Sequence, residues 1–185
     1  MDSPEKLKHC TPNGDATNHV KADHGITLQE LDALIVGAGF AGVYQLKRLR
    51  ELGYKVLLVE SGSGYGGVWY WNRYPGARVD TANPQYQFSD PALWKDWVWS
   101  QKFPGGAELR AYFDHVAKRW DLRKDTKFNT FVEGATWDED EAKWIVRAES
   151  GEKFRVKYIL LNTGFASKRY IPDWKGMNNF EGKTP

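Results

Sequence analysis

The chain has 185 residues, a length that suits one domain, and its 41% hydrophobic and 27% charged residues are ordinary for a globular protein that buries a core. Its 26 basic and 24 acidic residues leave a net charge of +2, without the broad basic field that a nucleic-acid partner requires. Cys10 has no second cysteine to pair with, the start MDSPEKLKHCTPNGD lacks the apolar segment of a signal peptide, and no apolar run approaches the roughly 20 residues that cross a bilayer, so a cytoplasmic protein without membrane attachment is expected.

Residues 1–27 are rich in Lys, His, Asn, Asp, Thr and Pro with no apolar period and read as a flexible polar extension; residues 28–185 hold the folded part. Leu31-Asp32-Ala33-Leu34-Ile35-Val36 is a short apolar run of the kind that forms a strand covered on both faces. It leads into Gly37-Ala38-Gly39-Phe40-Ala41-Gly42, then a helical segment with Val43, Leu46, Leu49 and Leu52 at helical spacing, closed by Gly53. Tyr54 to Glu60 predicts a second buried strand.

That strand, helix, strand context gives Gly37-x-Gly39-x-x-Gly42 its meaning. A G-x-G-x-x-G pattern alone is weak and also describes a tight turn. Here Gly37 permits the turn, Gly39 admits a pyrophosphate close to the backbone, Gly42 lets helix and strand pack, and Glu60 accepts from the ribose of an adenosine. The plainer alternative for Glu60 is a solvated carboxylate at a strand end.

The next stretch, GYGGVWYWNRYPGARVD at 64–80, is punctuated like a loop yet carries two Trp, three Tyr and two Arg. A loop leaving the second strand lies at the carboxyl edge of the sheet, where ligands of such folds bind. Gly66 and Gly67 allow close backbone approach, and Trp69, Tyr70 and Trp71 are suited to shielding a broad planar ring such as an isoalloxazine. The alternative is that these aromatics form a small core beneath a long loop.

Further on, Glu108 to Asp121 predicts an amphipathic helix burying Leu109, Tyr112, Phe113, Val116, Ala117 and Trp120, with His115 solvated on the other face. Four scattered histidines and one cysteine supply no metal-ligand spacing. Phe128–Ala135, Lys143–Ala148 and Lys153–Val156 predict a small antiparallel meander, and Tyr158–Leu161 a buried strand returning to the main sheet, ended by Asn162-Thr163-Gly164 near the nucleotide.

Taken together, GAGFAG, VLLVESGSGYGGVWYWNRYPGARVD, Tyr86 and LLNTG resemble the amino-terminal part of a Baeyer–Villiger monooxygenase, a class B flavoprotein monooxygenase, over roughly Leu31 to Pro185. The resemblance implies an α/β, Rossmann-like FAD-binding domain of the glutathione-reductase type, a parallel sheet plus a small antiparallel meander, and an incomplete one. It implies FAD contacts at Gly37, Gly39, Gly42, Glu60, Val68, Trp69, Tyr70, Trp71, Asp80 and Tyr86, with Arg78, Val79 and Asp80 where the nicotinamide of NADPH meets the flavin. In the family, the carboxylate matching Asp80 orients a catalytic arginine from a later part of the chain. The sequence departs from the family just after it, at Thr81-Ala82-Asn83-Pro84. Phe180-Glu181-Gly182-Lys183-Thr184-Pro185 looks like the start of the family's F-x-G-x-x-x-H fingerprint. The NADPH domain, the arginine and the rest of the FAD domain are thus expected outside these residues, in a longer or a complementary chain. The implied activity is NADPH- and O₂-dependent conversion of a ketone to an ester or lactone. Two alternatives stay open: an N- or S-oxygenating relative or FAD-dependent reductase, and a non-catalytic fragment.

Overall fold

A computed structural model describes residues 28–166 and 170–182; the polar extension assigned to 1–27 lies outside the described residues. The chain runs β1 (Leu28–Val36), α1 (Phe40–Glu51), β2 (Val56–Val59), a single helical turn α2 (Val68–Trp71), α3 (Pro91–Trp94), α4 (Gly106–Arg119), β3 (Thr126–Lys127), β4 (Val132–Asp138), β5 (Lys143–Ala148) and β6 (Lys153–Leu161). One sheet holds all six strands in the order β3-β2-β1-β6-β5-β4. Its first four strands are parallel and its last three antiparallel, with β6 common to both sets.

The apolar run before the glycines behaves as its composition demands: Leu34 and Ile35 are both fully buried, one on each face of β1. On one face, Ala33, Ile35, Val56 and Leu58 pack with Val43 and Leu46 of α1 and Tyr112, Phe113 and Val116 of α4. On the other, Leu34 and Val59 join Val146, Ala148, Phe154 and Val156, so the meander supplies the second apolar layer. Helix α1 stops where Gly53 takes φ 82°, a left-handed conformation that glycine adopts freely. Leu52, which the helical spacing had placed on the core face, is the exposed cap residue instead.

Several sequence expectations are corrected. The segments Lys153–Val156 and Tyr158–Leu161 are one nine-residue strand, paired along β1 from Leu28↔Lys153 to Val36↔Leu161. The exposed Lys157 breaks the apolar pattern, while the backbone ladder passes beside it. The strand predicted at Phe128–Ala135 begins only at Val132, because Asn129 N–H and Thr130 N–H are engaged by Gly62 O and Glu60 O of the loop after β2, at 3.0 and 2.9 Å. The two-residue β3 beside β2 carries no sequence signal. His115 is largely enclosed rather than solvated: α3 and the segment after it fold over α4, setting Leu93 O 3.3 Å from Nε2 and Trp97 5.2 Å from its ring.

Candidate dinucleotide site

The three glycines after β1 answer to different constraints. Gly37 has φ 105°, and a Cβ there would lie 2.4 Å from Asn162 O, so the strand-end segment after β6 presses on this turn. A Cβ on Gly42 would sit 1.9 Å from Gly37 O, too close for any side chain. A Cβ on Gly39 would meet nothing nearer than Gly67 Cα at 3.6 Å, an ordinary contact. The protein's own atoms therefore require glycine at 37 and 42, whereas at 39 the described residues leave room for a Cβ in ordinary contact. Gly39 is also the cap residue of α1, and no side chain caps that helix. Its first-turn N–H groups, which have no intrahelical partner, and the positive end of its dipole thus face an end suited to an anion.

Around this turn the structure gathers most of the residues singled out from sequence. Glu60, only 6% exposed, accepts from Ala38 N–H at 2.8 Å through Oε2, and from Gly62 N–H at 2.7 Å and the Ser61 hydroxyl at 3.1 Å through Oε1. A carboxylate offers about four acceptor positions, so one remains for a ligand hydroxyl. The solvated reading of Glu60 does not hold. Gly66 N–H donates to Ala38 O at 3.0 Å, and a Cβ on Gly67 would lie 3.0 Å from Gly39 Cα, which brings the aromatic turn against the glycine turn.

Helix α2 carries Val68, Trp69, Tyr70 and Trp71, whose side chains part company. Trp69 is half-buried against the core; its Nε1–H donates to Tyr86 Oη at 2.9 Å, and Tyr86 in turn meets the edge of Phe40 on α1 with ring centres 5.3 Å apart. Tyr70 lies over the loop after β2, accepting from Ser63 N–H at 2.9 Å. Val68 and Trp71 are exposed. The aromatic turn therefore presents an open face at Trp71 and Val68 and a braced one at Trp69 and Tyr86.

Arg78, Val79 and Asp80 belong to a second strip. Val79 is buried, and its N–H donates to Pro104 O at 3.2 Å; Arg78 donates to Gln101 Oε1 and Phe103 O; the exposed Asp80 accepts from the Thr81 hydroxyl at 3.3 Å. Gly106 N–H donates to Ala77 O at 2.8 Å, anchoring the strip to the start of α4. The sequence reading missed Arg110, whose Nη1 donates to Trp69 O at 3.1 Å and ties that same helix to the aromatic turn. A concavity of about 270 Å³ lies between them, lined by residues that include Arg73, Tyr74, Gly105 and Arg110. The spacing G-x-G-x-x-G recurs at Gly62, Gly64 and Gly67, but there it accommodates the Tyr70 ring and the approach to Gly39 and opens no long helix. Among the described residues no cluster of His, Cys, Asp and Glu is arranged for a metal ion, and no helix is long and apolar enough to cross a membrane.

Comparison with known proteins bears on what this site serves. Residues 35–98 match the family described as an NAD(P)-binding Rossmann-like domain. The FAD-binding monooxygenase VdtE of Byssochlamys spectabilis is 49% identical over 160 residues, covering 84% of this chain and 28% of that protein. Cyclopentanone 1,2-monooxygenase of Comamonas sp. is 45% identical over 154 residues, covering 83% of this chain and 28% of that enzyme. A closed crystal structure of cyclohexanone monooxygenase superposes with a TM-score of 0.78 at 38% identity, over 85% of this chain and 30% of that one. The homologues of this chain are FAD-binding monooxygenases that include cyclopentanone and cyclohexanone monooxygenases, enzymes of the Baeyer–Villiger type. The chain spans less than a third of the length of these Baeyer–Villiger-type relatives. Its α/β fold, with a parallel sheet continued by an antiparallel meander, is Rossmann-like as the sequence predicts.

Proposed function

We propose that this chain forms the FAD-binding part of an NADPH- and O₂-dependent monooxygenase that converts a ketone to an ester or lactone, with residues 28–185 as the amino-terminal portion of its FAD domain. The observation that carries the reading is Gly39 at an uncapped helix end, where a Cβ would meet only an ordinary contact at 3.6 Å, so that no contact among the described residues demands glycine there. A pyrophosphate bound to the N–H groups of that turn accounts for it. The names of the relatives support both cofactors: one is described as FAD-binding, and a structure of steroid monooxygenase is described as bound to NADP.

Bound there, FAD would supply the redox chemistry with oxygen; the protein's contribution is binding, orientation and exclusion of water. Gly37, Gly39 and Gly42 shape the pyrophosphate site, Glu60 takes a ribose hydroxyl, and Val68, Trp69, Tyr70, Trp71 and Tyr86 border the flavin on the aromatic side. Arg78, Val79 and Asp80 border it on the nicotinamide side, where Asp80 orients an arginine supplied by the remainder of the enzyme, whether in one longer chain or a complementary one.

Titration with FAD, followed by quenching of flavin fluorescence, tests the placement. The chain should bind FAD weakly, and Gly39→Val should abolish binding by filling the pyrophosphate site. Retention of FAD by that variant would refute the site. In a form that turns over ketone, Asp80→Ala should keep FAD, slow oxygenation and raise NADPH consumption without product. Offering a cyclic ketone beside an amine and a sulfide identifies the reaction, and turnover of the latter two alone would replace ketone oxidation with N- or S-oxygenation.

A further inference from the structure

The loop 61–64 that follows Glu60 has no regular structure of its own, yet it holds one of the two carboxylate oxygens in place. On one side Asn129 N–H donates to Gly62 O at 3.0 Å. On the other stands Tyr70. Its Oη accepts from Ser63 N–H at 2.9 Å and shares a second hydrogen bond with Ser63 Oγ at 2.7 Å. Its ring rests directly on the loop: a Cβ on Gly62 would lie 2.5 Å from Cε1, and one on Gly64 3.2 Å from the ring. The Tyr70 ring thus occupies the space of a side chain at 62 and crowds one at 64. Arg73 secures the ring from outside, with its Nε donating to Tyr70 O at 2.9 Å and its guanidinium 5.3 Å from the ring centre. A continuous path results, from Tyr70 through Ser63 and Gly62 to Glu60 Oε1, and across the carboxylate from Oε2 to Ala38 N–H in the glycine turn.

We propose that Tyr70 is a positioning residue for Glu60: by pinning Ser63 and Gly62 it aims the one free acceptor position of that carboxylate at the ribose of the bound dinucleotide. The inference rests on the dinucleotide reading above and assigns Tyr70 a different task from Trp69 and Trp71, its neighbours in the same turn. The aromatic turn then serves the adenosine end of the ligand as well as the flavin end, and the two ends are coupled through one hydroxyl.

The probe is ADP, which carries the adenosine and pyrophosphate without the flavin, titrated calorimetrically into the 185-residue chain, Tyr70→Phe, Glu60→Gln and the double variant. Tyr70→Phe keeps the ring over both glycines and should weaken ADP about tenfold, with the unfolding temperature of the free protein moving by less than about 2 °C. Since Tyr70 acts through Glu60, the double variant should bind no more weakly than Glu60→Gln alone. The preference for ADP over its 2′,3′-dideoxy analogue should fall toward unity in both single variants, a change that loosened packing by itself does not produce. Undiminished ribose preference in Tyr70→Phe, or losses that add in the double variant, would overturn the assignment while leaving the dinucleotide site intact. No ADP binding by the wild-type chain would overturn the site itself, and the positioning role with it.

Discussion

Within six residues, Gly37, Gly39 and Gly42 separate two physical reasons for glycine: room needed by the protein and, under the proposed function, room needed by a ligand. Gly42→Ala sets a methyl group 1.9 Å from Gly37 O, so it should destabilise the fold by more than about 3 kcal/mol, visible as a lower urea midpoint. Gly39→Ala meets only an ordinary contact and has φ −80°, so its unfolding free energy should stay within about 0.5 kcal/mol of wild type while ADP affinity falls at least about tenfold. A Gly39→Ala protein that unfolds as easily as Gly42→Ala would show that position 39 is also structural. The glycines and Glu60 were legible in the sequence because the strand, helix, strand frame that gives them meaning is local. Tyr70's hold on the loop and Arg110's bond to Trp69 were not. Arg110 lies 41 positions from its partner, and nothing in an amphipathic helix marks which polar residue reaches back. The division of labour among Trp69, Tyr70 and Trp71 was equally hidden, since three adjacent aromatics diverge only once the chain turns helical there.

At the scale of elements, α4 is the piece that sequence described best, because Leu109, Tyr112, Phe113, Val116 and Ala117 recur at the helical period and all are buried. Phe113→Ala should cost about 3–5 kcal/mol in a chemical unfolding titration, the range for emptying an aromatic core position. Tyr112 adds a pH dependence. Burial pushes the pKa of its hydroxyl up to about 12 from the ordinary 10.0, and that hydroxyl accepts from Phe88 N–H at 2.9 Å. The folded state therefore holds this proton more tightly than the unfolded chain. Its stabilising effect is complete below pH 10 and is lost progressively as pH climbs toward 12. Urea midpoints measured across that interval should decline, and Tyr112→Phe should flatten the decline. Strands were read less well than helices. Where β6 was split in two, the apolar pattern paused at Lys157, but a ladder is made by backbone groups and is indifferent to that pause. Where β4 was placed too early, Asn129 and Thr130 had been drawn off to hold the loop after β2, a tertiary demand with no local signature.

Over the whole molecule, the end of β6 and the described residues after it are the least covered part. Leu161, Phe165, Tyr170, Ile171, Trp174 and Phe180 are all exposed, a run of large apolar side chains that monomeric proteins rarely display. The 185-residue chain should therefore self-associate at micromolar concentration, as light scattering on a sizing column would reveal; a monomer at all concentrations would show that this surface is innocuous. The same sheet carries a consequence for its own assembly. Strand β1, the first to leave a ribosome, has β6 as its neighbour along its full length, and the ion pair of Glu30 with Arg155 spans 125 positions. At roughly 5–20 residues per second, β1 waits on the order of ten seconds before its central partner exists, with only the short β2 to lie against meanwhile. Pairing so remote in sequence is also slow, since the loop must close before its contacts are rewarded. Nascent chains stalled before Lys153 should leave the amides of β1 open to hydrogen exchange, and chains stalled far enough beyond Leu161 to clear the exit tunnel should protect them. The first strand made is thereby among the last to be secured, and during that wait Leu31, Leu34 and Ile35 are within reach of chaperones.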